Sequence, residues 1–277
     1  MNKPFVVAQI SDLHLKADHK LTYGVVDCLG ALRRAVDHLN ASQPRPDIVV
    51  ISGDLVDFGR PEEYAVLGME LARLHMPFYL VPGNHDVREH LLAEFAQHAY
   101  LPINARAPLD WVVEEHPVRL IGLDSTIPGQ HGGQVLDSQL LWLDAQLSRR
   151  PDVPTLLILH HPPFITGIGH MDREPFINAA GLKSVVARHP QVERLLCGHL
   201  HRPMQRRFGG SISCVCPGTS HQIVLDFQES APAHFNLEPA GYLLHHWHPQ
   251  QGLVTHNAVF GEFAGPYPFY DADGLID

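Results

Sequence analysis

The chain has 277 residues, 45% of them hydrophobic, enough for one large domain or one domain with a substantial insertion, which excludes an intrinsically disordered chain. Its formal net charge is −10 and its 20 Lys and Arg residues are scattered without basic runs, which argues against a nucleic-acid polymer as partner, because such binding rests on released counterions. No stretch reaches the roughly 18 apolar residues of a membrane span, no cleavage-site pattern follows the short run Phe5 to Ile10, and Cys28, Cys197, Cys214 and Cys216 form no disulfide framework, so a soluble cytoplasmic protein is expected.

From Phe5 to about Gly198 short apolar runs alternate with helical patterns, the rhythm of an α/β domain. Strands are expected at 5–11, 47–52, 77–82, 118–123, 154–160 and 193–197. Between them, Val25, Val26, Leu29, Leu32, Val36 and Leu39 form an apolar helical stripe, and Pro61 with Glu62 and Glu63 reads as the first turn of another helix. Asp137 is the expected N-cap of a third, over Ser138 to Leu147. After His201 the pattern changes to strand-like pieces, "SISCVCPG", "GYLLHHW" and "LVTHNAVF", with no long helix. The chain thus divides into the first part of an α/β core (1–201), closing core strands with a β-rich cap or dimerisation element (202–259), and a Gly-, Pro- and aromatic-rich tail (260–277) lying along the body without regular structure.

Each expected strand but the fourth ends in groups able to bind metal. "ISDLHL" offers Asp12 and His14, two apart and therefore on one side of an extended chain. "SGDLVD" offers Asp54 after Gly53, and "PGNHDV" offers Asn84, His85 and Asp86 after Gly83. "LHHPPF" brings His160 and His161, and "CGHLH" brings His199 and His201. Strand carboxyl ends gather along one edge in open α/β sheets, so these groups are expected to meet. Two carboxylates, an amide and four imidazoles, without sulfur, suit Mn, Fe, Co or Zn. Seven ligands are too many for one catalytic ion and suffice for two if one carboxylate is shared. By contrast "LHHWHP", with His245, His246 and His248, reads as structural, since alternation splits its rings over two faces. Cys197 reads as a small buried residue.

The ordered set D-x-H, G-D, G-N-H-D, H-H and G-H-x-H, from Gln9 to His201, resembles the calcineurin-like metallophosphoesterase superfamily. "KLTYGVVD", "GRPEEY", "PGTSHQ" and "AGPYPFYD" further resemble the bacterial glycerophosphodiesterases that group with class III cyclic-nucleotide phosphodiesterases. The resemblance implies a four-layer α/β/β/α sandwich and homo-oligomers formed through the cap. It makes Asp12, His14, Asp54 and His201 ligands of one ion and Asp54, Asn84, His160 and His199 ligands of the other, with Asp54 bridging.

Two ions about 3.5 to 4 Å apart activate a shared water for in-line attack on phosphorus. Two divalent ions, two aspartates and a bridging hydroxide leave one net positive charge, which the single negative charge of a small phosphodiester matches. Asn84 then fills a coordination position without adding charge, His85 faces the substrate and stabilises the charge on the leaving oxygen or protonates it, and Asp86 orients His85. Arg60, Tyr23, His161 and His221 are candidate substrate contacts, each with a structural alternative: an ion pair of Arg60 with Glu62 or Glu63, ring packing for Tyr23 and His221, and a hydrogen bond for His161. A cyclic-nucleotide phosphodiesterase is the alternative activity; a non-catalytic scaffold would show eroded ligand positions, and none is missing here.

Overall fold

The computed structural model describes residues 3–272 and 274–276. In chain order its elements are β1 (Phe5–Ile10), α1 (Cys28–Ala41), β2 (Ile48–Ile51), α2 (Pro61–Leu71), β3 (Phe78–Leu80), α3 (Arg88–Glu94), β4 (Trp111–Val113), β5 (Arg119–Gly122), α4 (Asp137–Arg149) and β6 (Thr155–Ile158). There follow α5 (Ala179–Arg188), β7 (Val192–Cys197), β8 (Met204–Phe208), β9 (Ser211–Val215), β10 (Gln222–Ile223), β11 (Phe235–Asn236), β12 (Gly241–His248), β13 (Gly252–Val259), β14 (Tyr270–Asp271) and β15 (Gly274–Leu275).

Two mixed sheets carry the molecule, one in the order β13-β12-β1-β2-β3 and the other β4-β5-β6-β7-β9-β8. Strands β1, β2 and β3 run parallel, as do β5, β6, β7 and β9, so each sheet gathers its carboxyl ends on one side. Period-two alternation divides the second sheet's side chains between two apolar clusters. Leu120, Leu156, Ile158 and Leu196 belong to one continuous core with the first sheet and with Leu32, Val36 and Leu67 of α1 and α2. Ile121, Leu157, Leu195 and Cys197 face the other way, into a core with Leu143 and Leu147 of α4 and Val185 of α5. The parallel strands are therefore covered on both faces and read as continuous apolar runs, whereas the edge strands β8 and β13 stay largely open to solvent.

Helix α1 starts at Cys28, three residues after the apolar stripe begins, because the Asp27 side chain caps it, accepting from Gly30 N at 2.8 Å. Asp137 is not an N-cap: it is the first residue of α4, Leu136 precedes it with no side-chain cap, and the Asp137 carboxylate accepts from Asn178 Nδ2. The stretch 202–259 contributes β8 and β9 to one sheet and β12 and β13 to the other. What stands apart from the sheets is the short pair β10–β11 and the chain between its strands. The tail departs from the expected irregularity at one point, where β14 pairs with β15; Asp273 and Asp277 of that tail, and Met1 and Asn2 of the first part, lie outside the described residues. No helix among the described residues is long and apolar enough to cross a membrane.

His245 is buried between the sheets and bonded to Gln9 Oε1 at 3.1 Å and Thr255 Oγ1 at 2.9 Å, while His246 and His248 of the same strand are partly exposed. The structural reading of "LHHWHP" holds for this reason. All four cysteines are buried and free.

Candidate metal centre

The groups that end β1, β2, β3, β6 and β7 meet in one place, but not by strand alternation. The strands stop at Ile10, Ile51, Leu80, Ile158 and Cys197, before the polar residues begin. Asp12, His14, Asp54, His199 and His201 all have positive φ, between 43° and 71°. Such left-handed backbone costs about 1–3 kcal/mol per non-glycine residue and persists only where the surroundings fix it. Here cross-strand hydrogen bonds do so: Leu13 N and His14 N both donate to Asp54 O, at 2.8 and 3.0 Å, and Gly198 N donates to His160 O at 2.9 Å. The extended D-x-H geometry expected from the sequence is thus replaced by two tight, backbone-paired loops.

Asp54 occupies the middle of the assembly. Its Oδ2 lies 3.6 Å from His14 Nε2 and 3.3 Å from His160 Nε2, and its Oδ1 accepts from His85 N at 2.9 Å. A Cβ on Gly83 would fall on the Asp54 backbone nitrogen and carboxylate, which explains the glycine. Asp12 Oδ1 accepts from His199 N at 2.9 Å and lies 3.5 Å from His201 Nε2. Asn84 Oδ1 is 3.2 Å from His160 Nε2.

Backbone carbonyls, which can only accept, fix the ring tautomers. His160 Nδ1 donates to Ser52 O at 2.8 Å and His201 Nδ1 donates to His221 O at 3.0 Å, so in each neutral ring Nε2 is the lone pair turned inward. Burial pushes Asp12 up to about 6. Burial also opposes charge on His160, but the adjacent Asp54 carboxylate outweighs it and raises the ring to about 9. His201 is lowered to about 3, by burial and then by the neighbouring His14.

His85 sits at the cavity wall with Nδ1 2.8 Å from Asp57 O, leaving Nε2 as its second ring nitrogen. Asp86 does not orient it. The Asp86 carboxylate accepts from Gly83 N at 2.8 Å, Leu55 N at 3.1 Å and Tyr64 Oη at 2.8 Å, so it fastens the turn rather than the imidazole. The partner is Asp57, whose Oδ1 is 3.4 Å from His14 Nδ1 and 3.8 Å from His85 Nδ1. Burial alone would raise Asp57, yet His14 and Lys16 hold it below its usual range. Its signal in the sequence was the second aspartate of "GDLVD", three residues after Asp54.

Tyr64 also accepts from Val87 N at 2.8 Å while fully buried. Tyr64→Phe should leave Val87 N–H and one Asp86 oxygen unpaired and lower stability by about 1–3 kcal/mol, read from denaturant unfolding midpoints.

The remaining candidates divide. Tyr23 and His221 line a cavity of about 540 Å³ together with His14, Asp54, Asn84 and His85. His161 does not line it: its Nε2 donates to His131 O at 3.0 Å and its Nδ1 is 2.9 Å from Ser125 Oγ, so the ring is committed to protein. Arg60 is absent from the lining as well. Its exposed guanidinium lies 4.8 Å from the Phe58 ring centroid, a cation–π contact, and among the described residues it forms no ion pair with Glu62 or Glu63. His131, His170, Arg173, Glu174, His234 and Phe235 line the cavity and carried no sequence signal.

The calcineurin-like phosphoesterase profile matches residues 5–203. The chain belongs to that family. Its members are metal-dependent hydrolases built around a binuclear metal centre. This calcineurin-like phosphoesterase is 41% identical to the probable glycerophosphodiester phosphodiesterase GpdQ of Arcobacter nitrofigilis over 98% of its own length and 100% of that protein's. It is 30% identical to the 3',5'-cyclic adenosine monophosphate phosphodiesterase CpdA of Escherichia coli K12, over 78% and 76% of the two chains. Among solved structures, a dimetal phosphatase from Danio rerio shares the fold with a TM-score of 0.66 at 17% identity, over 93% of this chain and 99% of that one.

The donor set fits such a centre on its own geometry. Asp12 Oδ2 is buried without a hydrogen-bond partner. His14 Nε2 and His201 Nε2 face each other at 3.1 Å beside the Asp12 and Asp54 carboxylates, a nitrogen and oxygen donor set that suits a divalent cation in place of the hydrogen bond between the rings. Asp12, His14 and Asp54 form one compact group of candidate ligands, and His160 and His199 lie in another beside His161, whose ring nitrogens are already bonded to protein.

Proposed function

We propose that this protein is a binuclear metal-dependent phosphodiesterase acting on small diesters of the glycerophosphodiester type. The observation that carries the reading is the position of Asp54, with one carboxylate oxygen within reach of both His14 and His160. Asp12, His14, Asp54 and His201 would hold one ion, and Asp54, Asn84, His160 and His199 the other. Divalent ions so placed supply an activated water and neutralise phosphoryl oxygens; Mn, Fe, Co and Zn all suit a nitrogen and oxygen donor set without thiolate.

The chain's own residues do the rest. Asn84 adds an oxygen donor without charge. His85, tethered through Nδ1 to Asp57 O, presents its other nitrogen for proton transfer to the leaving oxygen. Tyr23 and His221 border the substrate. The names of both kinds of relative support diester hydrolysis, and the 98% coverage of this chain by the glycerophosphodiesterase match favours that branch. A second reading, cyclic-nucleotide hydrolysis, is favoured by the aromatic wall of Tyr23 and Phe235, 5.0 Å apart between centroids, against which a base could stack.

Four free, buried cysteines support a reducing, cytoplasmic setting. Exposed Leu225, Phe227 and Leu237 on the chain around β10 and β11 support a homo-oligomer formed through that cap. The test of function is to purify the chain with its native metals, count them, and compare turnover of glycerophosphoethanolamine, cyclic AMP and a phosphomonoester. Two metals per chain with glycerophosphoethanolamine preferred is the expected result. Preference for cyclic AMP selects the second reading, and no diester turnover under any of the four metals refutes both.

A further inference from the structure

One wall of the catalytic cavity is a strap that none of the proposed metal ligands belongs to. Residues 166–172 form a tight turn knotted by a single carboxylate: Asp172 accepts from Thr166 N, Thr166 Oγ1 and Gly167 N, at 2.9, 3.0 and 2.7 Å. Met171 N and Asp172 N both donate to Ile168 O, and the Ile168 side chain is fully buried. The strap is pinned at its middle and again just beyond its C-terminal end. Gly169 lies against the backbone of Gln228 and Glu229, where a Cβ would not fit, and Ile177 N donates to Gly133 O at 2.8 Å. A strap held this way keeps His170, Arg173 and Glu174 on the cavity lining.

His170 is the unusual member. Both of its ring nitrogens are shielded from solvent and neither has a hydrogen-bond partner, although the ring borders a cavity that also reaches Asp54 and His85. An unpaired buried N–H is costly, and such groups in folded proteins call for an explanation. Turning the ring toward the cavity would let a ligand hydroxyl satisfy it. Arg173 and Glu174 beside it add donors and a carboxylate, so this wall offers every type of partner a polyhydroxy group can use. Tyr23, Ile223 and Phe235, which also line the cavity, add ring and alkyl surface.

We propose that the 166–174 strap reads the alcohol arm of the substrate, with His170 bonding a hydroxyl on that arm, so that the site selects phosphodiesters of small polyhydroxy alcohols. This rests on the phosphodiesterase reading, with phosphorus held at the metal-ligand end of the cavity, and adds to it the group that chooses the arm. His170 is here a specificity-determining residue, since its contact is to the arm and not to the reacting atoms.

The test uses calorimetric affinities of the manganese-loaded full chain for glycerol 3-phosphate, inorganic phosphate and adenosine 5'-monophosphate. The wild type should bind glycerol 3-phosphate more tightly than either of the others. His170→Leu should lower the ratio of glycerol 3-phosphate to phosphate affinity by about tenfold, the worth of one hydrogen bond in a closed site. Arg173→Ala, at an exposed side chain, should lower the same ratio severalfold. A wild type with no preference over phosphate, a tighter complex with adenosine 5'-monophosphate, or ratios unchanged in both variants would each overturn the proposal. Because the ratio is read on products, it stays separate from turnover: absent hydrolysis of glycerophosphoethanolamine sinks the activity, and an unmoved ratio sinks the strap's role.

Discussion

Asp54→Ala is expected to yield a folded protein that retains little metal at either position and hydrolyses diesters at a rate below the loss of roughly 10² to 10⁴ that removal of one acid–base group brings. The reason is geometric. Asp54 Oδ2 stands 3.6 Å from His14 Nε2 and 3.3 Å from His160 Nε2, so one truncation strips a ligand from both proposed ligand sets at once. Its Oδ1 also accepts from His85 N, and without it the G-N-H-D turn loses an anchor that Asp86 alone must then supply. Elemental analysis of the purified variant decides the matter. Two metals per chain would remove Asp54 from the bridging position, whereas loss of one metal only would make it a terminal ligand.

His85→Ala should behave in the opposite way, keeping both metals while turnover falls roughly 10² to 10⁴. Its ring hangs on Asp57 through a 2.8 Å bond from Nδ1 to the backbone carbonyl, with the Asp57 carboxylate 3.8 Å away. That arrangement aims a proton carrier without making it a ligand. Two readings of the same sample separate the roles: metal content by elemental analysis and kcat on diesters whose leaving alcohols differ in acidity. A deficit that shrinks as the leaving group becomes more acidic marks loss of leaving-group protonation, since a good leaving group needs no acid. A variant that arrives without metal would instead make His85 part of the coordination.

Short apolar runs, a Pro61 helix start and turn glycines at 53 and 83 are local features, and they placed β1, β2, β3, β5, β6 and β7 near their observed bounds. Elements that lacked such punctuation went unseen. The seven-residue α3 and the three-residue β4 have too few residues for a period to show, and α5 begins at a left-handed Asn178 with no capping side chain. Gathering of the donors was foreseen, though on the wrong local geometry: a single sheet margin and extended D-x-H spacing were expected. The structure brings loops from the ends of two sheets together and bends Asp12, His14, His199 and His201 into left-handed backbone.

Asp86 illustrates the difference between neighbours in sequence and neighbours in space. Adjacent to His85, it looked like its partner; the turn that exposes the imidazole rotates the carboxylate inward, to Tyr64 and two backbone amides. Asp57, twenty-eight residues earlier, takes that place because the β2 and β3 loops lie side by side. By itself the sequence determined which chemical groups the protein owns and at which strand ends they sit, since residue type and local periodicity are properties of short stretches. Tertiary structure alone decided which of those groups face a common cavity, which are bound off by protein like His161, and which unforeseen side chains, Asp57 behind His85 and His170 on the lining, join them. Such choices depend on hydrogen bonds and contacts between segments far apart along the chain, and no local pattern records them.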